Sequence, residues 1–136
     1  ADLMATFAEI FEAKLPANAG EDSFSLMPLL SGGTEPVREH SVSCSIRGVP
    51  SIRKNSWKYL PVPGSGGWGK GGDQSQPIQL YDLSKDLGES SNLAAKNPER
   101  VSELRALLES VIVRGRSNPG PKQQNDVQVR RYKPSP

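Results

Sequence analysis

Chemistry needs a nucleophile, a proton carrier, a metal cage or a phosphate cradle, and this chain has little stock for any of them. It holds a single histidine, His40, and a single cysteine, Cys44. One imidazole removes most catalytic triads and every multi-His metal centre, and one thiol makes neither an intrachain disulfide nor a Cys-rich zinc site. His40 is followed by Ser41 and has no partner at metal-ligand spacing. It reads either as a hydrogen-bonded structural residue or as a polar group offered to a substrate. Cys44 falls in phase with Val42 and Ile46, an alternation that predicts a small buried hydrophobe rather than a nucleophile. The acidic residues are scattered singly, so no carboxylate pair stands out as a general acid and base.

A glycine-rich stretch, residues 64–72, carries six glycines in nine positions. Gly64, Gly66 and Gly69 fit a dinucleotide fingerprint, and Gly64 with Gly69-Lys70 fits most of a P-loop. Both motifs need a buried strand before the loop and a helix N-terminus after it, because the helix end helps hold the phosphate. Here Leu60-Pro61-Val62-Pro63 precedes and Gly72–Pro77 follows, and Gly71 stands where a P-loop needs Ser or Thr. A nucleotide site is therefore excluded. Trp68, flanked by glycines, either stacks on a sugar ring or folds back onto its own domain.

The elements that must position these residues are legible. Leu3, Phe7, Ile10 and Phe11 recur at helical spacing after Asp2, a candidate N-cap, and Pro16 ends that helix. A short helical turn follows at Leu26–Ser31, capped by Ser25 and left through Gly32. Strands are predicted around Val42–Ile46, Ile52-Arg53, Trp57–Leu60 and Ile78–Leu83, with Asn55-Ser56 as a tight turn. Tyr81 and Trp57 supply aromatic area on opposing strands. The last helix is the clearest, with Asn97 as cap, Pro98 in the first turn, and Val101, Leu104, Leu107, Leu108, Val111 and Ile112 on one face. Gly115 ends it, and an irregular arm follows. The 136 residues thus predict an α+β fold, with a small antiparallel sheet of about four strands carrying the C-terminal helix.

Charge is uneven. The net is +2, but residues 1–114 carry 12 basic against 14 acidic side chains. The last 22 residues hold Arg116, Lys122, Arg130, Arg131 and Lys133 against Asp126 alone. Without an aromatic ladder or a dense basic run this predicts a solvated tail, with no nucleic acid as partner. No apolar run reaches the roughly 18 residues a membrane span needs. The start also lacks the basic-then-apolar order of a secretory signal.

In order, the landmarks resemble the C-terminal portion of the arylsulfatase family. Asp2-Leu3-Met4-Ala5-Thr6 with Leu15-Pro16 is similar to the D-L-x-x-T helix and its A-x-L-P turn. Gly20-Glu21-Asp22-Ser23, with Leu29-Leu30 and Gly32, resembles the E-D-S segment, although Pro28 is displaced by one place. Ile52-Arg53-Lys54 with Trp57-Lys58 resembles I-R-x-G-x-W-K-L, with Asn55 for the turn glycine and Tyr59 for the leucine. Pro63–Trp68 matches a P-G-S-G-G-W loop. Leu80-Tyr81-Asp82-Leu83, then Asp86, Glu89, Asn92-Leu93-Ala94 and Pro98-Glu99, is the most specific match, with Leu87 where Pro is usual. Gly115-Arg116-Ser117 and Pro119-Gly120 resemble the tail motif.

The resemblance implies a sulfuric ester hydrolase as the parent protein, using calcium and a formylglycine made from Cys or Ser in C-x-P-x-R. Neither Cys44-Ser45-Ile46-Arg47-Gly48 nor Ser117-Asn118-Pro119-Gly120-Pro121 completes that motif. The expectation is therefore a scaffold stretch, inactive alone, with no catalytic residue or metal ligand of its own. It divides as 1–33, the end of the larger α/β catalytic domain with the first helix left over from it; 34–115, the C-terminal subdomain; and 116–136, the basic tail. The missing N-terminal sulfatase domain is the implied partner, and a sulfated small molecule or carbohydrate the implied substrate. His40 is the residue carried toward that substrate, Trp68 a weaker second, and a periplasmic or exported location goes with the family. The alternative is a non-enzymatic module in which sheet and glycine loop bind a carbohydrate or a protein.

Overall fold

The computed structural model describes residues 1–129, in two compact units. The basic residues Arg130, Arg131 and Lys133 lie outside the described residues.

The first unit joins Ala1–Glu39 to Val111–Asp126. Helix α1, Leu3–Ile10, shows how its polar landmarks act. Asp2 makes no side-chain cap. Instead its Oδ1 accepts from the Phe24 amide (3.1 Å) and from Arg38, whose guanidinium also lies 4.4 Å from the Phe24 ring centroid. The open amide end of α1 is satisfied from a distance, by Ser23 Oγ on the Ala5 N–H (2.8 Å). Thr6, buried, accepts from the Leu26 amide (3.0 Å) at the entry to α2, Met27–Leu30. The arm after Gly115 returns to the same segment. Arg116 is 5% exposed; its guanidinium donates to the Ala17 and Pro121 carbonyls (3.1 and 2.9 Å) and to Asn118 Oδ1. Asn118 in turn donates to the Gly20 and Ser23 carbonyls, and the Ser117 amide to Asp22 Oδ1. Gly120 has φ 148°, and a Cβ there would stand 2.5 Å from the Arg116 guanidinium carbon, so the motif glycine leaves room for the arginine. Contrary to the expected solvated tail, Arg116 is a buried structural cation, because four hydrogen bonds to backbone and side-chain acceptors replace its water.

The second unit is centred on His40–Ser110. Its sheet runs β1 (His40–Cys44), β2 (Pro50–Lys54), β3 (Trp57–Leu60) and β4 (Gln79–Asp82), all antiparallel in that order. Asn55, at φ 54°, turns β2 into β3. On one face Ile52, Tyr59 and Leu80 are fully buried in cross-strand register. Helix α3, Pro98–Arg114, packs on the sheet with Val101, Leu104 and Leu108 buried, and Arg105 Nε donates to Tyr59 Oη (3.2 Å). Burying one such leucine is worth about 1.5–3 kcal/mol. Trp57 pairs with Asp82 and Lys58 with Tyr81, so the two aromatic rings lie on opposite faces rather than against each other.

Cys44 departs from its expected buried place. It is exposed, and Ile46 is 70% exposed. β1 is an edge strand that ends at Cys44, where Ser45–Gly48 closes a turn through Ser45 N to the Val49 carbonyl (2.9 Å) with Gly48 at φ 72°. Cys44 still pairs with Pro50, but β1 is an edge strand with a neighbour on one side only, and Ile46 lies beyond it in the turn, so the alternation does not bury either residue.

Candidate functional site

Two ends of the sheet carry the residues of interest. At one end a single register row crosses the sheet: His40 opposite Lys54, Lys54 opposite Trp57, Trp57 opposite Asp82. His40 is half-buried as the first residue of β1. Beside this row opens a cavity of about 480 Å³ lined by Trp57, Lys96–Arg100 and Glu103. Two of its charged residues, Arg100 and Glu103, are paired with each other. Glu103 takes Lys54 Nζ at 3.2 Å and Arg100 Nη1 at 2.6 Å, and the Arg100 guanidinium sits 5.5 Å from the Trp57 ring centroid. The Lys54 hydrogen bond is the chief cause holding the Glu103 carboxyl below its ordinary value. An ionised, paired carboxylate cannot donate a proton, so Glu103 is poorly suited to acid catalysis.

At the other end sits the glycine loop. Gly64 N donates to the Asp73 carbonyl (2.7 Å), Ser65 Oγ to the Gly69 carbonyl (2.6 Å), and Ser45 Oγ to the Gly66 carbonyl (2.7 Å). Underneath, buried Gln79 donates to the Val62 and Gly64 carbonyls (2.6 and 2.7 Å) and accepts from Tyr81 Oη and the Asp73 amide. Burial raises the Tyr81 phenol, which stays a donor, while hydrogen bonds from Ser75 and then Asn92 lower Asp73. Trp68 is 73% exposed: it does not fold back onto the unit. His40 and Trp68 therefore occupy opposite ends of the sheet and do not form one site. Gln79 and Asp73 were missed in the sequence, and Asn92 stood there only as a family landmark; nothing in their spacing shows that a strand glutamine holds a loop fifteen residues upstream.

Calcium and formylglycine do not fit the residues present. Among the described residues no three of His, Cys, Asp or Glu come together to hold a metal ion. Every carboxylate whose pKa is shifted, at Asp73, Asp82, Asp86 and Glu103, is shifted down. Among the described residues no helix is long and apolar enough to cross a membrane.

No family model matches the chain. Individual relatives do. Over 118 residues, 83% of this chain, it is 37% identical to N-acetylgalactosamine-6-O-sulfatase of Bacteroides thetaiotaomicron. The chain belongs to the sulfatase family. Arylsulfatase K of Xenopus laevis is 32% identical over 124 residues, 82% of this chain. A solved sulfatase chain from work on the metabolism of multiple glycosaminoglycans by Bacteroides thetaiotaomicron superposes with a TM-score of 0.67 at 37% identity, covering 81% of this chain and 24% of its own. The chain spans 23% and 21% of the length of the two curated sulfatases.

Proposed function

We propose that this chain is the C-terminal, cleft-shaping part of a sulfuric ester hydrolase acting on sulfated carbohydrate, with the nucleophile and calcium ligands supplied by the larger N-terminal sulfatase domain. One observation carries the reading: the likeness covers 83% of this chain but 23% of a sugar sulfatase. The chain itself lacks both C-x-P-x-R and S-x-P-x-R. On its own it is inactive, since no residue here can become the activated nucleophile. In the parent, His40, at the rim where β1 begins, hydrogen-bonds the leaving alcohol or a sulfate oxygen. A periplasmic or exported location goes with this role.

The test is kinetic and uses the full-length parent. His40→Ala should lower kcat/KM toward a 6-sulfated N-acetylgalactosamine substrate by ~1–3 kcal/mol, the worth of one lost polar contact. Unchanged kinetics with an unchanged melting temperature would dispose of the role of His40. Turnover by the 136-residue chain that survives Cys44→Ala and calcium chelation would overturn the division of labour.

A further inference from the structure

The end of the sheet away from His40 is built to present rather than to bury. Two loops meet there: the Ser45–Gly48 turn and the Gly64–Gly69 loop, tied by Ser45 Oγ on the Gly66 carbonyl. A side chain added at Gly67 would meet Ile46 Cγ2 at 3.6 Å, so Ile46 lies against the glycine loop one residue from Trp68. Both apolar residues stay exposed, Ile46 at 70% and Trp68 at 73%, although Val49 and Val62 directly beneath are buried. A mobile loop could leave a tryptophan outside by accident. This loop is held by hydrogen bonds from Ser45, Ser65 and Gln79, so the ring is offered from a fixed base.

Charge says what the platform suits. From His40 to Gly72 there is no Asp or Glu, against Arg47, Arg53, Lys54, Lys58 and Lys70. Lys54 and Lys58 are paired with Glu103 and Glu89, and Arg53 Nε donates to the Asn55 carbonyl. Arg47 and Lys70, on the two loops of the tip, are exposed and make no ion pair among the described residues. An aromatic face beside two unpaired cations matches a sugar ring carrying sulfate, and the carboxylate at the base of the loop, Asp73, is occupied by Ser75 and Asn92. Along β1 the tip lies about 13 Å from His40, four residues at strand rise.

We propose that Trp68 and Ile46, with Arg47 and Lys70, form a distal subsite that holds an outer unit of a sulfated oligosaccharide, separate from the sulfate ester being cleaved. The proposal rests on the sulfated-carbohydrate reading above, but its test is binding by this chain and needs no catalysis. A tetrasaccharide containing N-acetylgalactosamine 6-sulfate is titrated into the chain carrying Trp57→Phe, so that Trp68 is the one fluorescent tryptophan. Fluorescence should report saturable binding that weakens with added salt. Trp68→Ala, followed by calorimetry, should raise Kd about tenfold or more, and Arg47→Ala with Lys70→Ala should weaken binding and flatten its salt dependence. The desulfated tetrasaccharide should bind more weakly. Circular dichroism confirms that each variant folds, and Trp68→Phe, which keeps a stacking ring, should retain most of the affinity. Absence of binding by the folded chain, or affinity indifferent to Trp68→Ala, overturns the subsite. Equal affinity for a single-stranded DNA oligonucleotide of the same charge overturns its assignment to sugar. Protection of Trp68 from oxidation in the ligand-free parent also overturns it, because the rest of the chain would then cover the ring. Loss of parent catalysis with binding intact would count against the hydrolase reading alone.

Discussion

The two units of this protein are held by different balances of apolar and polar burial. The second buries Ile52, Tyr59, Leu80 and Leu104 almost completely, and its stability is that of an ordinary apolar core. The first buries Thr6, Ser23, Arg116 and Ser117 along with only Val111 and Ile112 among its described aliphatic residues, while Leu3, Met4, Phe7, Ile10, Phe11 and Leu30 remain exposed. Its order comes from polar side chains that reach across nearly a hundred residues of sequence, such as Arg116 to Ala17. A unit locked by hydrogen bonds with its apolar face outward has its shape fixed internally and its hydrophobic stabilisation left to another surface.

This contrast can be broken by experiment, starting where the effect is largest. Leu104→Ala should cost about 2–5 kcal/mol in a urea melt, from lost burial plus the cavity left behind. A loss under 1 kcal/mol would mean that the second unit has no real core. Arg116→Ala removes a buried cation, takes both donors from Asn118 Oδ1 and leaves the Ala17 and Pro121 carbonyls to Gln123, so about 1–3 kcal/mol should go, read as proteolytic exposure of residues 17–23. Phe7→Ser should change the melt by no more than about 0.5 kcal/mol, since the ring is half exposed. Its signature lies elsewhere: the chain should self-associate through that face, and the substitution should return sedimentation toward the monomer. A clean monomer with no dye-binding surface before mutation would refute an uncovered face.

The smallest effect is acid sensitivity. Asp73, Asp82, Asp86 and Glu103 all belong to the second unit, and each is held below its ordinary value of 3.8 or 4.5. A depressed folded pKa means the unfolded chain binds more protons, so the stabilisation is present above the ordinary value and is lost as pH falls through the folded one. The urea midpoint should be flat above about pH 5 and fall from about 4.5 downward. Ser84→Ala, which removes the main hydrogen bond lowering Asp82, should make that fall shallower. Calcium should leave the melt unmoved, because a ligand stabilises only a folded state that binds it.

Local order was written plainly along the chain. Pro98 in a first turn, the apolar spacing from Val101 to Ile112, the turn at Asn55 and the four short strands follow from backbone sterics and periodicity, which act between near neighbours. The family landmarks could be read as a string for the same reason: Asp2, Thr6, Ser23 and Arg116 are particular residue types at particular places. Tertiary structure alone decided what they touch. It made Asp2 a partner of Phe24 and Arg38 instead of a cap, brought Arg116 to Ala17, and set Gln79 under the glycine loop. It put β1 at the edge of the sheet and ended it at Cys44, so an alternation that promised burial left Cys44 and Ile46 exposed. It also placed His40 and Trp68 at opposite ends of one sheet, because strand register, which no single segment encodes, sets which residues share an end.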